Sequence, residues 1–389
     1  MSTSQQVPTK ARKLRIAISI NSTWNFLNFR AGLIRHLVAK GHEVIAIAPA
    51  DENVGALENL GCRFVDCRIA SKSINPFEDI ALEARYRRIL SAEQPDAFLG
   101  FTIKPNVYGS LAAHRLGIPV INNVSGLGTA FIRDNWLQAV VARLYRAAFR
   151  RSKVVFFQNR DDREAFVAKR LVLPEQVQLL PGSGIDLDAF APMRAAGPAH
   201  DGRCRFLFIG RLVHDKGLRE LVAAARIVRQ KRTAAQFRLL GFLDVANRTA
   251  VTRAEVDQWV AEGVVDYLGP TDDVRPHIAR SDCVVLPSYR EGTPRALLEA
   301  AAMAKPVVAT DVPGCRQAVD DGETGFLCRA RDADDLADKL IAIIDLGAAR
   351  RQEMGAAGRR KVEREFAEQR VIDAYLRALD DCLGVQGDA

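Results

Sequence analysis

Glu291 and Glu299 bracket the run EGTPRALLE late in a chain of 389 residues. An ionised carboxylate is the natural acceptor for the vicinal hydroxyls of a sugar or a ribose, so the pair could grip a sugar nucleotide from two sides. The same carboxylates would also suit a helix start, which attracts acidic residues, and spacing alone leaves both readings open. Upstream, GRLVHDKG at 210 to 217 carries Arg211 and Lys216. Following a strand and preceding a helix, these two cations could bracket a diphosphate, with the helix N-terminus adding amide donors and partial positive charge. Two solvated cations beside a turn is the alternative.

The elements that must position these residues are legible as apolar runs. Cys283 to Leu286, closed by Pro287 and Ser288, reads as a buried strand ending in a turn, with Glu291 in the loop above it. Good helix formers from Arg295 to Met303 carry Glu299 down the first turns of a helix. Earlier strands are expected at Leu14 to Ile20, Glu43 to Pro49, Arg63 to Asp66, Ala97 to Phe101, Val120 to Val124 and Val154 to Gln158, with helical stretches such as Arg30 to Lys40 between several of them. A second series runs through Arg205 to Ile209, Phe237 to Leu240, Val264 to Leu268, Cys283 to Leu286 and Pro306 to Ala309. This alternation predicts an α/β fold of two doubly wound parallel sheets, with ligands beyond the strands' carboxyl ends and an active site in the cleft between the domains. The expected division is a disordered lead-in at 1–13, a first domain at 14–190, a second at 191–365, and a C-terminal helix and tail at 366–389 crossing back to the first. Within that last segment, apolar positions 366, 371, 372, 375, 376 and 379 form a stripe that needs a partner surface.

A length of 389 residues exceeds what one hydrophobic core usually serves. The 48% hydrophobic content lies in short runs, none of bilayer-spanning length. The opening MSTSQQVPTKARK lacks the apolar middle of a signal peptide, so cytoplasmic residence is the simplest expectation. Seven cysteines form no CxxC pair and six histidines form no ligand cluster, so no bound metal is expected. Lys and Arg outnumber Asp and Glu 25 to 17 through Met193 and equal them, 30 to 30, from Arg194 onward, so the whole net charge of +8 belongs to the first half. That half suits an anionic partner, and nucleic acid lacks an independent recognition motif.

Three first-half segments could meet such a partner. Asn21 to Phe29, NSTWNFLNF, reads as a glycine-free loop after the first strand that either contacts an acceptor through Asn21 and Thr23 or covers a core edge. Asn122 to Gly128, with Asn123, Ser125 and Gly126, is polar enough to line a cleft. Residues 133 to 153 form a basic amphipathic segment, with Leu137, Val140, Val141, Leu144, Tyr145 and Ala148 on one face and Arg143, Arg146 and Arg150 on another. It could lie on anionic lipid with Trp136 and Phe149 near the interface, or pack as an ordinary core helix with a solvated basic face.

Over residues 14 to 380 the sequence resembles the retaining GT-B glycosyltransferases of family GT4. The motifs are GRLVHDKG at 210 to 217, LPSYREG at 286 to 292, the Glu291 and Glu299 spacing, PVVATDVPG at 306 to 314 and DGETGFL at 321 to 327. FTIKPNVYG at 101 to 109 and INNVSGLGTAF at 121 to 131 look like the bacterial branch that acts on polyprenyl-diphosphate-linked glycans. The resemblance implies a UDP-sugar donor, no required metal or other cofactor, and transfer of a hexose or N-acetylhexosamine with retention of configuration. It implies further that Arg211 and Lys216 hold the donor diphosphate, Glu291 the sugar hydroxyls and Glu299 the ribose. Backbone amides around Gly292, Thr293 and Pro294 would help place the sugar or phosphate, and Tyr267 and Leu268 would flank the base. The acceptor would be a polyprenyl-diphosphate-linked saccharide at the cytoplasmic face of an anionic inner membrane, with a soluble sugar phosphate as the alternative and an inactive sugar-nucleotide-binding module as another. The region around Thr102 to Pro105 lacks the family's usual histidine, a role that Lys104 or Thr102 would have to fill.

Overall fold

The structure, a computed structural model, describes residues 12–70, 75–126, 136–193, 202–232, 234–243, 245 and 247–384. Its described residues divide into two compact units. The first takes the chain up to Phe157, Glu164–Gln178 and the stretch from Ile372 onward, and the second takes Gln158–Arg163 and Leu179–Val371.

The first unit holds seven strands: β1 (Arg15–Ser19), β2 (Glu43–Ala48), β3 (Arg63–Asp66), β4 (Ala97–Phe101), β5 (Val120–Val124), β6 (Val154–Phe157) and β7 (Val177–Leu179). Their order is β3-β2-β1-β4-β5-β6-β7, and every pairing from β3 to β6 is parallel. Central strands covered by helices on both faces have no solvent side, which is why β4 and β6 read as unbroken apolar runs, while β1 and β5 bury Ser19, Asn122 and Asn123 with hydrogen-bond partners. The edge strands β3 and β7 are partly exposed, and three-residue β7 is too short to show any period.

The second unit repeats the plan with β8 (Cys204–Ile209), β9 (Ala235–Leu240), β10 (Asp266–Tyr267), β11 (Cys283–Leu286), β12 (Val307–Thr310) and β13 (Gly325–Cys328). The order β10-β9-β8-β11-β12-β13 is parallel throughout. In each sheet the winding reverses once, between β1 and β4 and between β8 and β11, and such a reversal opens a crevice beyond the carboxyl ends of the two strands.

Three expectations change. Val264 to Leu268 contributes only the two residues of β10, at a sheet edge. GFLC, within the DGETGFL motif, is the edge strand β13. Asn21 to Phe29 is no loop: Thr23–Phe29 is helical, and the Ser22 hydroxyl caps it by accepting from the Asn25 amide at 3.2 Å. The C-terminal stripe is divided: Phe366 is buried in the second unit's core, and Tyr375 in the first unit's. Tyr375, fully buried, packs its ring 4.9 Å from Phe156 and 5.8 Å from Phe101, centroid to centroid, and accepts a 2.8 Å hydrogen bond from Asn123.

Candidate active site

At the mouth of the second unit's crevice, the loops after β8 and β11 are drawn together by glycine. Gly217 has φ +74, and a Cβ there would sit 2.0 Å from the Pro287 carbonyl oxygen, so only glycine lets the β8 loop approach the end of β11 this closely. Just before it, His214–Lys216 forms one 3-10 turn, leading into the helix Leu218–Lys231. This geometry delivers Lys216 Nζ directly to Glu291 Oε1, both side chains mostly buried. Lys216 is therefore no solvated cation, while Arg211 remains exposed.

Glu291 is anchored by its own amide, which donates to the Pro313 carbonyl at 3.3 Å. Gly314 makes room for that contact, since a Cβ there would lie 2.3 Å from the Gly292 oxygen. The helix Arg295–Ala302 follows, and its first turn contains no acidic residue. Glu291 precedes it and Glu299 lies in its second turn, so an acid-rich helix start does not account for the pair. Glu299 is only 8% exposed and bonded to Arg295 Nε at 2.6 Å. Burial raises its carboxyl above the usual glutamate range, and the Arg295 charge opposes that shift.

The remaining donor-side candidates lie on the same rim. Thr293 donates through Oγ1 to the Gln158 carbonyl at 3.1 Å, and the Gly292 carbonyl accepts from Asn159 Nδ2 at 3.3 Å. Pro294, the N-cap of the helix, has no N–H, so amide donors in this stretch come from Gly292, Thr293 and Arg295 rather than from Pro294. Tyr267 donates its hydroxyl to the Gly241 carbonyl at 3.0 Å, and Leu268 is 37% exposed beside it. Gly241 in turn presses on the β8 loop: a Cβ there would be 1.9 Å from the Gly210 oxygen.

In the first unit, Asn21 and Thr23 follow β1, and Thr102 and Lys104 follow β4, on either side of that sheet's reversal. Asn21 accepts from Asn25 at 2.6 Å, and buried Thr23 donates to Asp51. Thr102 has φ +63, a left-handed conformation that a β-branched residue adopts only under constraint. Lys104 is paired with Asp79 at 2.7 Å, whose other oxygen takes the Tyr108 hydroxyl at 2.7 Å. Asn123 is buried against Tyr375, whereas Ser125 is exposed and Gly126 half-buried. Leu127 and Gly128 lie outside the described residues, as do the side chains of Trp136 and Leu137.

The basic amphipathic segment is the helix Trp136–Phe149. Its Tyr145, Ala148 and Phe149 are buried in a core cluster with Phe157 and Phe166, so Phe149 is not available to a lipid interface as expected. Outside lie the basic face of Arg143, Arg146 and Arg150, with Arg146 donating to the Lys169 and Arg170 carbonyls, and also Val140, expected on the apolar face but 40% exposed. Among the described residues, no helix is long and apolar enough to cross a membrane. Nor, among them, does any group of three or more His, Cys, Asp or Glu stand where it could hold a metal ion.

Two doubly wound parallel sheets of this order are consistent with the GT-B architecture of sugar transferases. Comparison with known proteins agrees. Residues 29–183 match the family described as glycosyl transferase 4-like domain and residues 203–345 that described as glycosyl transferases group 1. The N,N'-diacetylbacillosaminyl-diphospho-undecaprenol alpha-1,3-N-acetylgalactosaminyltransferase of Campylobacter jejuni is 27% identical over 346 residues, 85% of this chain and 90% of that protein. Among solved structures, a glycosyltransferase of Rickettsia africae superposes with a TM-score of 0.78 at 18% identity, covering 96% of this chain and 100% of its own. HepE of Anabaena in complex with UDP does so with a TM-score of 0.77 at 17% identity, covering 95% and 100%. The chain is a nucleotide-sugar-dependent glycosyltransferase of the GT-B class, related to the GT4-type enzymes.

Residues that the motifs did not single out also shape this site. Arg295 holds Glu299, and Arg290 is paired with the buried carboxylate of Asp162, 128 positions away in sequence. The one local signal was the polar run QNRDD directly after the apolar strand β6.

Proposed function

We propose that the protein transfers a hexose or N-acetylhexosamine from a UDP-sugar to a polyprenyl-diphosphate-linked saccharide, with retention at the anomeric carbon. The observation that carries this reading is the Lys216 and Glu291 pair at the crevice mouth, with Glu299 buried one helix turn behind. Lys216 and Arg211 would meet the donor diphosphate, Glu291 the sugar hydroxyls and Glu299 the ribose. Tyr267 and Leu268 would flank the base, and the amides from Gly292 to Arg295 would orient the transferred sugar. As the anomeric C–O bond breaks, negative charge collects on the leaving diphosphate, where a preorganised cation is most effective. The acceptor hydroxyl attacks on the same face, forming the new C–O bond and passing its proton to the departing phosphate oxygen.

Support for UDP comes from HepE, of like fold, which is described in complex with UDP. Support for the acceptor comes from the Campylobacter relative, whose name specifies a diphospho-undecaprenol substrate. Asn21, Thr23, Lys104, Asn123, Ser125 and Gly126 would form or support the acceptor side, with Thr102 beside Lys104. The exposed arginines of the Trp136–Phe149 helix favour a peripheral site on anionic lipid at the cytoplasmic membrane face. Proton NMR of the first-formed linkage tests the stereochemistry: a retained anomeric configuration is expected, and an inverted one overturns the same-face route. Flotation with anionic vesicles tests the membrane site, and a protein that stays at the bottom of the gradient points to a soluble acceptor.

A further inference from the structure

Within the five-residue loop Arg290 to Pro294, Glu291 and the amides of Gly292 and Thr293 are sugar-side groups of the proposed donor site. The loop is held by a segment from far upstream, Gln158–Arg163, which folds as part of the second unit. Asp162 and Asn159 are each 1% exposed. Asn159 Oδ1 accepts from the Asp162 amide at 2.7 Å, and its Nδ2 donates to Asp162 Oδ2 at 3.0 Å and to the Gly292 carbonyl at 3.3 Å. Asp162 Oδ1 takes the Arg290 guanidinium, and the Gln158 carbonyl accepts from Thr293 Oγ1 at 3.1 Å. On the opposite side the loop is backed by Pro313 and Gly314. A buried carboxylate is costly unless it is paired and hydrogen-bonded, and Asp162 meets that condition through Arg290 and Asn159. Ties at positions 290, 292 and 293 leave Glu291, between them, little freedom to point elsewhere than at Lys216.

We infer that Asp162 and Asn159 are positioning residues for sugar transfer: through Arg290 and the Gly292 carbonyl they hold Glu291 and the neighbouring amides in the geometry that meets the donor sugar. This inference rests on the donor-site reading above. The pair acts through the loop and touches no substrate, so its loss should appear in turnover rather than in nucleotide affinity. Displacement of reacting groups by about 1 Å is enough to cost on the order of 100-fold in rate.

The test compares Asp162→Asn, Arg290→Gln and the double variant, using kcat for transfer from a UDP-sugar and calorimetric Kd for UDP. Each single variant should lose about 10- to 100-fold in kcat with UDP Kd changed less than about 2-fold, and the double variant should be no worse than the weaker single one. A general folding defect would instead lower the fraction of chain that binds UDP, which calorimetry reads as stoichiometry. If Asp162→Asn does not fold, Arg290→Gln, at a partly exposed position, decides alone. Unchanged kcat in Arg290→Gln, or losses that multiply in the double variant, overturns the inference. Glu291→Ala serves as the control: if it leaves kcat unchanged, the donor-site reading fails, whereas a loss there with none in Arg290→Gln removes only the clamp.

Discussion

Replacing Glu299 with glutamine keeps the side chain's shape and removes only its charge. In the proposed site this carboxylate accepts from the two ribose hydroxyls, and a hydrogen bond to a charged group contributes about 1.5–3 kcal/mol against about 0.5–1.5 for a neutral one. Losing the charge on two such bonds should weaken UDP binding by about 1–3 kcal/mol, or roughly 5- to 150-fold. The fold should tolerate the change. Burial raises the Glu299 carboxyl above its ordinary range, with Arg295 opposing, so the native state holds the Glu299 proton more tightly than the unfolded chain does. That contribution to stability is full below the unfolded pKa and is lost as pH rises through the folded one; at neutral pH the glutamine variant should melt no earlier than the parent. Binding runs the other way, because only the ionised carboxylate is the strong acceptor. As pH falls from 8, the affinity gap between parent and variant should close, beginning above the usual glutamate range, and comparing the two proteins cancels the titration of UDP itself. Calorimetry of UDP at several pH values reads all of this. Equal affinities at pH 8 would refute the ribose role.

Three further outcomes are expected. Lys216→Ala should lower kcat/KM by about 2–4 kcal/mol, roughly 30- to 1000-fold, through lost stabilisation of the leaving diphosphate, and an unchanged kcat/KM removes it from the site. Gly217→Ala must place a Cβ against the Pro287 carbonyl at φ +74, and the left-handed conformation alone costs about 1–2 kcal/mol, so a denaturation midpoint equal to the parent's would contradict the close approach of the two loops. All seven cysteines are free and six are buried, with burial pushing Cys62 up to about 11 and Cys204 up to about 12. The native protein at pH 8 should therefore react with a thiol reagent only slowly, first at half-buried Cys382, and rapid reaction of several thiols would contradict these cores.

How much of this could be read from the chain depended on the range of the interactions involved. The central strands were legible because burial on both faces leaves a plain apolar run, as in CVVL and VVFF. The cationic and carboxylate loops were legible because each directly follows such a strand. Asn21 to Phe29 misled because a seven-residue helix with one hydroxyl cap and an amide-rich surface looks like a polar loop until the Asn25 amide is seen to meet Ser22. The basic helix was read correctly as amphipathic, yet nothing in its periodicity says whether the apolar face meets lipid or Phe166. The pairing of Asp162 with Arg290 spans 128 positions and is a property of the folded chain.

The central claim is transfer from a UDP-sugar to a polyprenyl-diphosphate-linked acceptor. The most direct measurement incubates the protein with a panel of UDP-, GDP- and ADP-sugars and a polyprenyl-diphosphate saccharide, and follows the lipid by mass spectrometry. The account predicts a gain of one hexose or one N-acetylhexosamine from a UDP-sugar, abolished or strongly reduced in Lys216→Ala. A gain from GDP- or ADP-sugars alone, or addition only to a soluble sugar phosphate, would contradict it.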